Sequence, residues 1–297
     1  MKSNAYIITG PTASGKSSFA HSLAQRVHGT IINCDSVQIY RGIENISASP
    51  FAGRPVTDDI DGVPYRLFSI LDLNSQISVS EYLDFARNEY NAARTTGRTP
   101  IFVGGTGYYI NAILDGISPM PDVSDDCRNR ARQMVRDNIN AARQMLPSTF
   151  VATDPQRVAR AIEVFLQTGH HITEFQSQPR IGAINPRPTT ILINPPTDVL
   201  TGRIAARIPE MLSGGAESEA QNIIATHQNP NRAIGATQLV AYLNGDADRD
   251  TCIQNWVTKT CQYAKRQRTW FRTQFAADVT INRVPTIDDI AHVLNAD

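Results

Sequence analysis

The hydrophobic pattern of the first hundred residues alternates between short continuous apolar runs and stretches with helical spacing. Ala5-Tyr6-Ile7-Ile8-Thr9 predicts a short buried strand, and Ser18 to Val27 places Phe19, Leu23 and Val27 on one helical face. Gly29 to Asp35 predicts a second strand that ends on a carboxylate. Residues Gly42 to Gly62, rich in Ser, Pro and Gly, predict a long exposed loop. Tyr65 to Leu71 predicts another strand. Ser80 to Ala93 predicts a helix capped by Ser80, with Tyr82, Phe85 and Tyr90 partly buried. Arg98 to Val103 is a further strand running into Gly104-Gly105-Thr106-Gly107. Strands alternating with helices predict an α/β fold, a parallel sheet flanked by helices.

The pattern then changes. From Pro119 to Pro186 the chain reads as helix and loop. Ser124 caps a stretch carrying Arg128, Arg130, Arg132 and Arg136; Asp154-Pro155 opens a second helix that ends near Gly169. Thr189 to Asn194 resumes as a core strand, and helices follow at Leu200–Leu212, Ala216–Thr226, Thr237–Leu243 and Asp250–Phe275. The expected organisation is a core domain, 1–118 and 187–297, interrupted by a mainly helical insertion, 119–186.

Composition narrows the class. The 297 residues are 41% hydrophobic and 19% charged with zero formal net charge, ordinary for a globular protein. Cys34, Cys127, Cys252 and Cys261 form no paired motif and suit reduced thiols. His170-His171 has no Cys or His cluster around it, so a protein-built metal site is not expected. Met1-Lys2-Ser3-Asn4 leads straight into the first strand, no apolar run approaches about 18 residues, and the expected location is the cytoplasm.

The candidate chemistry starts at Gly10-Pro11-Thr12-Ala13-Ser14-Gly15-Lys16-Ser17, a phosphate-binding loop set between a strand and a helix. Backbone N–H groups and the helix N-terminus wrap an anion, Lys16 adds charge, and Ser17 offers a hydroxyl to a magnesium ion. Asp35, at a strand end on the same sheet edge, could bind magnesium through water or take a proton from a nucleophile. Thr106, in the second glycine turn, could bind a leaving oxygen; a simple tight turn is the other reading. Beyond Asp35, no other apolar strand ends in the acidic residue that nucleotide hydrolases use: Ile101-Phe102-Val103 runs into Gly-Gly, and Ile191-Leu192-Ile193 into Asn-Pro-Pro. Between Thr251 and Ala277 there is no acidic residue, yet Lys259, Lys265, Arg266, Arg268 and Arg272 are present, with Trp270 and Phe271 interleaved. That face suits a phosphate backbone or plain solvent. Trp256, Tyr263 and Trp270, spaced by seven, read as a core stripe.

Five stretches in order resemble the bacterial tRNA dimethylallyltransferases, also called tRNA isopentenyltransferases. They are Gly10–Ser17, Asp35–Gly42, Gly104–Ile110, Asp154–Val164 and Cys261–Arg272, and they span nearly the whole chain. The resemblance implies a prenyltransferase that moves a dimethylallyl group from dimethylallyl diphosphate to N6 of adenosine 37 in tRNA. The loop's ligand would then be the donor's diphosphate with Mg2+. Asp35 would be the general base, and Thr106 would polarise the departing diphosphate. Gly10, Thr12, Ala13, Ser14, Gly15, Lys16, Ser17 and Arg203, which begins an RxxxR pair completed by Arg207, would hold that diphosphate. Ser36, Val37 and Gln38 would join Asp35 and Thr106 against the target base. Arg128, Gln156, Arg157, Val158, Ala159 and Arg160 match positions that touch tRNA, and Lys265, Arg266 and Arg268 would add phosphate contacts to the anticodon stem-loop. Ser17 and Asp35 would hold the magnesium, and a monomer is expected. The chain departs from the family's GTAKP segment at Ile46-Ser47-Ala48-Ser49-Pro50 and from its GY(K/R)(Q/E) run at Gly235-Ala236-Thr237-Gln238. A small-molecule or nucleotide kinase using ATP would account for residues 1–110 about as well, but not for the basic stretch or the arginine-rich insertion.

Overall fold

A computed structural model describes residues 5–296. Met1–Asn4, read above as leading into the first strand, and Asp297 lie outside the described residues. In chain order the elements are β1 (Tyr6–Thr9), α1 (Lys16–Val27), β2 (Gly29–Asn33), β3 (Asp59–Ile60), β4 (Val63–Arg66), α2 (Val79–Thr95), β5 (Thr99–Gly104) and α3 (Gly107–Asp115). Then come α4 (Asp125–Gln144), α5 (Pro155–Thr168), α6 (Ile172–Gln176), β6 (Thr189–Ile193), α7 (Thr197–Met211) and α8 (Glu217–Ala225). The last are α9 (Ala236–Leu243), α10 (Arg249–Gln274), β7 (Val279–Ile281) and α11 (Asp288–Ala296). The chain divides into two compact units, one of residues up to 114 and from 184 onward, the other of residues 115–183.

The first unit is the expected α/β fold. Its sheet runs β3-β4-β2-β5-β1-β6-β7, parallel throughout except for the antiparallel β3–β4 pair. β1 is central, with Ile7 opposite Phe102 on one side and Thr190 on the other. Helices cover both faces, so β1 is buried at every position and reads as a continuous apolar run rather than an alternation. One face packs Ile8, Ile31, Ile101 and Ile191 against Phe19 and Leu23 of α1. Because β1, β2, β5 and β6 are parallel, their carboxyl ends bring Gly10, Cys34-Asp35, Gly105-Thr106 and Asn194 to one edge.

Five local expectations change. The strand expected over Tyr65–Leu71 is the earlier and shorter β4, because Leu67 and Ser69 take left-handed backbone angles (φ 63° and 53°) that a strand cannot hold. Ser78, not Ser80, caps α2, through a box in which its hydroxyl accepts the Glu81 N–H while the Glu81 carboxylate accepts its own N–H. Tyr82 and Tyr90 are buried but Phe85 is exposed. Only part of the Gly42–Gly62 stretch is the expected exposed loop: residues 53–62 are exposed apart from the half-buried Ile60, whereas Ile43, Ile46 and Phe51 are buried and pack the first half onto the core. Along α10, Trp256 and Phe271 are core, whereas Tyr263 and Trp270 are only part-buried.

In the second unit α4 and α5 pack through Ala131, Val135, Ala142, Val158, Ala159 and Ile162. Ser124 and Asp154 cap these helices as expected, each side chain accepting an N–H three residues on.

Candidate active site

The phosphate loop joins β1 to α1. Gly15, the residue before α1, has φ 93° and supplies no side-chain cap, so the first N–H groups of the helix stay open to an anion. Lys16 folds back over the loop, its ammonium donating to the Pro11 carbonyl at 3.4 Å. Burial pulls that ammonium down to about 8; Asp35 nearby opposes the shift and Arg207 adds to it. From α7, Arg203 donates to the Ala13 carbonyl at 2.8 Å and Arg207 to the Thr12 hydroxyl at 3.0 Å. Two buried polar atoms here have no partner, Ser14 Oγ and Arg207 Nε. Buried donors left open cost free energy, and an arriving anion would satisfy them.

Facing the loop, Asp35 ends β2 in an Asx turn. Its N–H donates to Asn33 Oδ1, and its Oδ1 accepts the Val37 N–H, both at 2.9 Å. The other carboxylate oxygen takes no part in that turn. The Thr106 hydroxyl accepts the Ser36 N–H at 2.9 Å and donates to Ser36 Oγ at 3.2 Å. Ser36 lines the cleft, and Thr106 reaches it through Ser36. Gly104 is glycine because a Cβ would strike the Cys34 carbonyl, which keeps β2 and β5 tight beneath Asp35.

Sequence reading missed one residue that ties these halves together. The Gln267 carboxamide of α10, 6% exposed, accepts the Thr12 N–H at 2.8 Å and donates to the Gly105 carbonyl at 3.0 Å. A Cβ on Gly105 would occupy the same place. The sequence carried no signal for it, since Gln267 lies 255 residues from Thr12 amid a basic run. The cleft between the loop and Asp35 holds about 600 Å³ and has a polar end at Lys16, Arg203 and Arg207. Its lining also includes the apolar side chains of Ile208, Met211 and Ile234 and the aromatic Trp256 and Tyr263.

Other expected site residues fall elsewhere. Lys265 and Arg266 are exposed on α10, with the Arg266 guanidinium 5.8 Å from the Tyr263 ring centre. Arg268 instead binds Asn194 Oδ1 at 3.1 Å and the Thr197 hydroxyl, bracing the β6–α7 connection. In the second unit Gln156 and Arg157 are exposed, while Val158 and Ala159 lie in the helical core, where their side chains support the surface rather than form it. Arg128 pairs with Asp125, Arg157 with Asp154, and Arg160 with Glu163. Among the described residues no three His, Cys, Asp or Glu side chains gather to hold a metal, and no helix is long and apolar enough to cross a membrane.

Comparison with known proteins agrees with this fold. A family model described as IPP transferase matches residues 38–274, and one described as isopentenyl transferase matches residues 3–70. The chain is 37% identical over 277 residues to a tRNA dimethylallyltransferase of Zymomonas mobilis, covering 90% of this chain and 87% of that protein. It is 38% identical over 279 residues to one of Sphingopyxis alaskensis, covering 90% and 89%. The solved full-length tRNA isopentenylpyrophosphate transferase of Bacillus halodurans superimposes with a TM-score of 0.69 at 27% identity, covering 99% of this chain and 95% of that one. With the phosphate loop and the strand-end carboxylate lining one cleft, and with matches of this length, the chain belongs to the IPP transferase family.

Proposed function

We propose that this protein transfers a dimethylallyl group from dimethylallyl diphosphate to N6 of adenosine 37 in tRNA. The observation that carries the reading is that Asp35 and the phosphate loop line one cleft, where two buried groups, Ser14 Oγ and Arg207 Nε, lack partners. The open N–H groups of α1 and the side chains of Ser14, Lys16, Ser17, Arg203 and Arg207 bind the diphosphate. Their charge stabilises it as the allylic C1–O bond breaks and the bonding pair leaves with the diphosphate. The N6 lone pair forms the new C1–N6 bond, and the N6 proton passes to the Asp35 carboxylate. Thr106 offers its hydroxyl to the departing oxygen in exchange for Ser36 Oγ. The adenine amine is a weak nucleophile, so holding it in line with C1 supplies much of the rate.

Mg2+ fits this donor set. Ser17 and Asp35 offer hard oxygens without a full protein cage, the arrangement in which magnesium takes its remaining ligands from phosphates and water. When bound it adds charge neutralisation at the diphosphate. The target base leaves its stack to reach Ser36, Val37 and Gln38. Lys265, Arg266, Arg128, Gln156, Arg157 and Arg160 contact the anticodon stem-loop.

The test is transfer of radiolabelled dimethylallyl diphosphate to unmodified tRNA with magnesium, comparing wild type with Asp35→Ala. Labelled tRNA with the wild type and little with the variant is expected. Equal labelling by the variant removes Asp35 from the mechanism, and no labelling by folded wild type overturns the reading.

A further inference from the structure

Glu219 of α8 makes hydrogen bonds that the reaction scheme does not use. Its Oε1 accepts the Asn45 N–H at 2.7 Å and the Asn45 side-chain amide at 2.8 Å, and its Oε2 accepts the Ile46 N–H at 2.9 Å. These are the first N–H groups of a single helical turn, closed by Ser47 N–H to the Ile43 carbonyl and Ala48 N–H to the Asn45 carbonyl. A carboxylate from another element thus caps this turn at its positive end. At the far end, the Ser47 and Ala48 carbonyls accept the Gln38 side-chain amide at 3.2 and 3.0 Å. Ala48 holds φ 51°, a left-handed angle that ends the turn.

The direction of the Gln38 carboxamide follows from elementary chemistry. Both neighbours are carbonyl oxygens and can only accept, so the NH2 faces them and both its protons are used. The one polar atom left for a ligand is Oε1, an acceptor. Gln38 lines the cleft beside Asp35 and Ser36. Adenine N6 carries two protons. One goes to Asp35, and the other suits an acceptor. A 6-oxo purine would set oxygen against oxygen.

Resting on the transferase reading above, we propose that Glu219 is a positioning residue: by capping the 43–49 turn it fixes which face of Gln38 meets the base, and so makes the site select an exocyclic amine over an oxo group. Without the clamp the turn loosens, Gln38 can rotate, and its NH2 can meet an oxo oxygen.

The experiment uses anticodon stem-loops with adenosine or inosine at the target position. The readouts are kcat and KM for prenylation of the first and Ki of the second as a competitive inhibitor. In wild type the ratio of Ki(inosine) to KM(adenosine) is high. In Glu219→Ala it falls about tenfold, the scale of the net worth of one neutral hydrogen bond. Glu219→Gln keeps the volume and falls between; it decides the matter if the alanine variant does not fold. Gln38→Ala flattens the ratio, and Glu219→Ala adds nothing on that background. A Glu219 variant that loses kcat or melting temperature with its ratio unchanged overturns the inference and leaves the transferase reading standing. A wild type that labels no adenosine stem-loop sinks the transferase reading and this inference with it.

Discussion

The arginines at the phosphate loop and those of the helical unit look alike in sequence and differ in what they hold. In the 115–183 unit Arg128, Arg130, Arg132, Arg157 and Arg160 each lie within ion-pair distance of a carboxylate, and Glu163, 8% exposed, takes two of them. At the loop, Arg203 and Arg207 have no carboxylate at that distance among the described residues; they donate to a carbonyl and a hydroxyl, and Arg207 keeps one buried nitrogen open. A cation neutralised by its own protein gains little from a phosphate, because one ion pair is exchanged for another. Arg207, largely desolvated and with a donor left open, gains much. The count of arginines therefore does not mark the anion site; the unfilled donors do.

The largest expected effect tests that contrast directly. Arg207→Ala should lower kcat/KM for the donor by about 10²–10³, the size seen when a buried donor to a developing oxyanion is removed. Arg207→Lys restores only part, since an ammonium cannot reach both Thr12 Oγ1 and the open position of Nε. Steady-state kinetics with limiting dimethylallyl diphosphate checks it. A loss as small as that of the paired arginines would erase the distinction between the two regions.

Next is Gln267→Leu. The change strips the partner from the Thr12 N–H and the Gly105 carbonyl, costing about 1–3 kcal/mol for each buried group left open. It should also lower kcat about tenfold, on the general sensitivity of rates to misplaced reacting groups. Melting and kcat should fall together. A stability loss with kcat unchanged would show that Gln267 holds the fold and not the site.

The pH dependence is smaller and has a definite sign. Lys16, at about 8 in the free protein, is protonated below that value and neutral above it. A bound diphosphate favours the charged form, so its pKa rises in the complex. Donor binding therefore takes up a proton above about 8, and affinity falls by at most about tenfold per pH unit from there to the pKa of the complex. Titration calorimetry in buffers of different ionisation enthalpy reads the proton uptake. A donor affinity that holds steady across pH 8–9 would mean Lys16 is charged throughout.

What the sequence revealed, and what it hid, follows the range of the interactions. The phosphate loop and Asp35 were legible because a few adjacent residues carry the chemistry and the strand period places them. The cap lies two residues before the expected Ser80 because only Ser78 reaches Glu81, a pairing that serine identity alone does not signal. The 42–62 stretch is exposed as expected over 53–62, but its first half is held down by Ile43, Ile46 and Phe51, which its more numerous polar residues mask in the sequence. The motif sets Val158 and Ala159 among the expected tRNA contacts, whereas the helical period turns them inward beside an exposed Arg157. Gln267 and Glu219 were invisible for a different reason: their partners lie 255 and up to 174 residues away, and nothing local distinguishes them from other polar helix positions.

The smallest effect sharpens the comparison from the side of the helical unit. If its arginines are weak because they are already paired, removing an arginine and removing its acid should act in opposite directions. Arg128→Ala should raise KM for tRNA by about two- to threefold, since an exposed pair is worth little. Asp125→Asn leaves Arg128 in place and takes away the carboxylate 3.0 Å from it. Binding should then tighten by a similar factor, and log affinity should fall more steeply with log salt, because one more free cation displaces counterions from the RNA. Ser124, the cap of α4, is untouched in both variants, so the helix keeps its N-terminal hydrogen bond. Filter binding of an anticodon stem-loop across a salt series measures both. Weaker binding in Asp125→Asn would mean that the acid itself faces the RNA, and that pairing is not what restrains this surface.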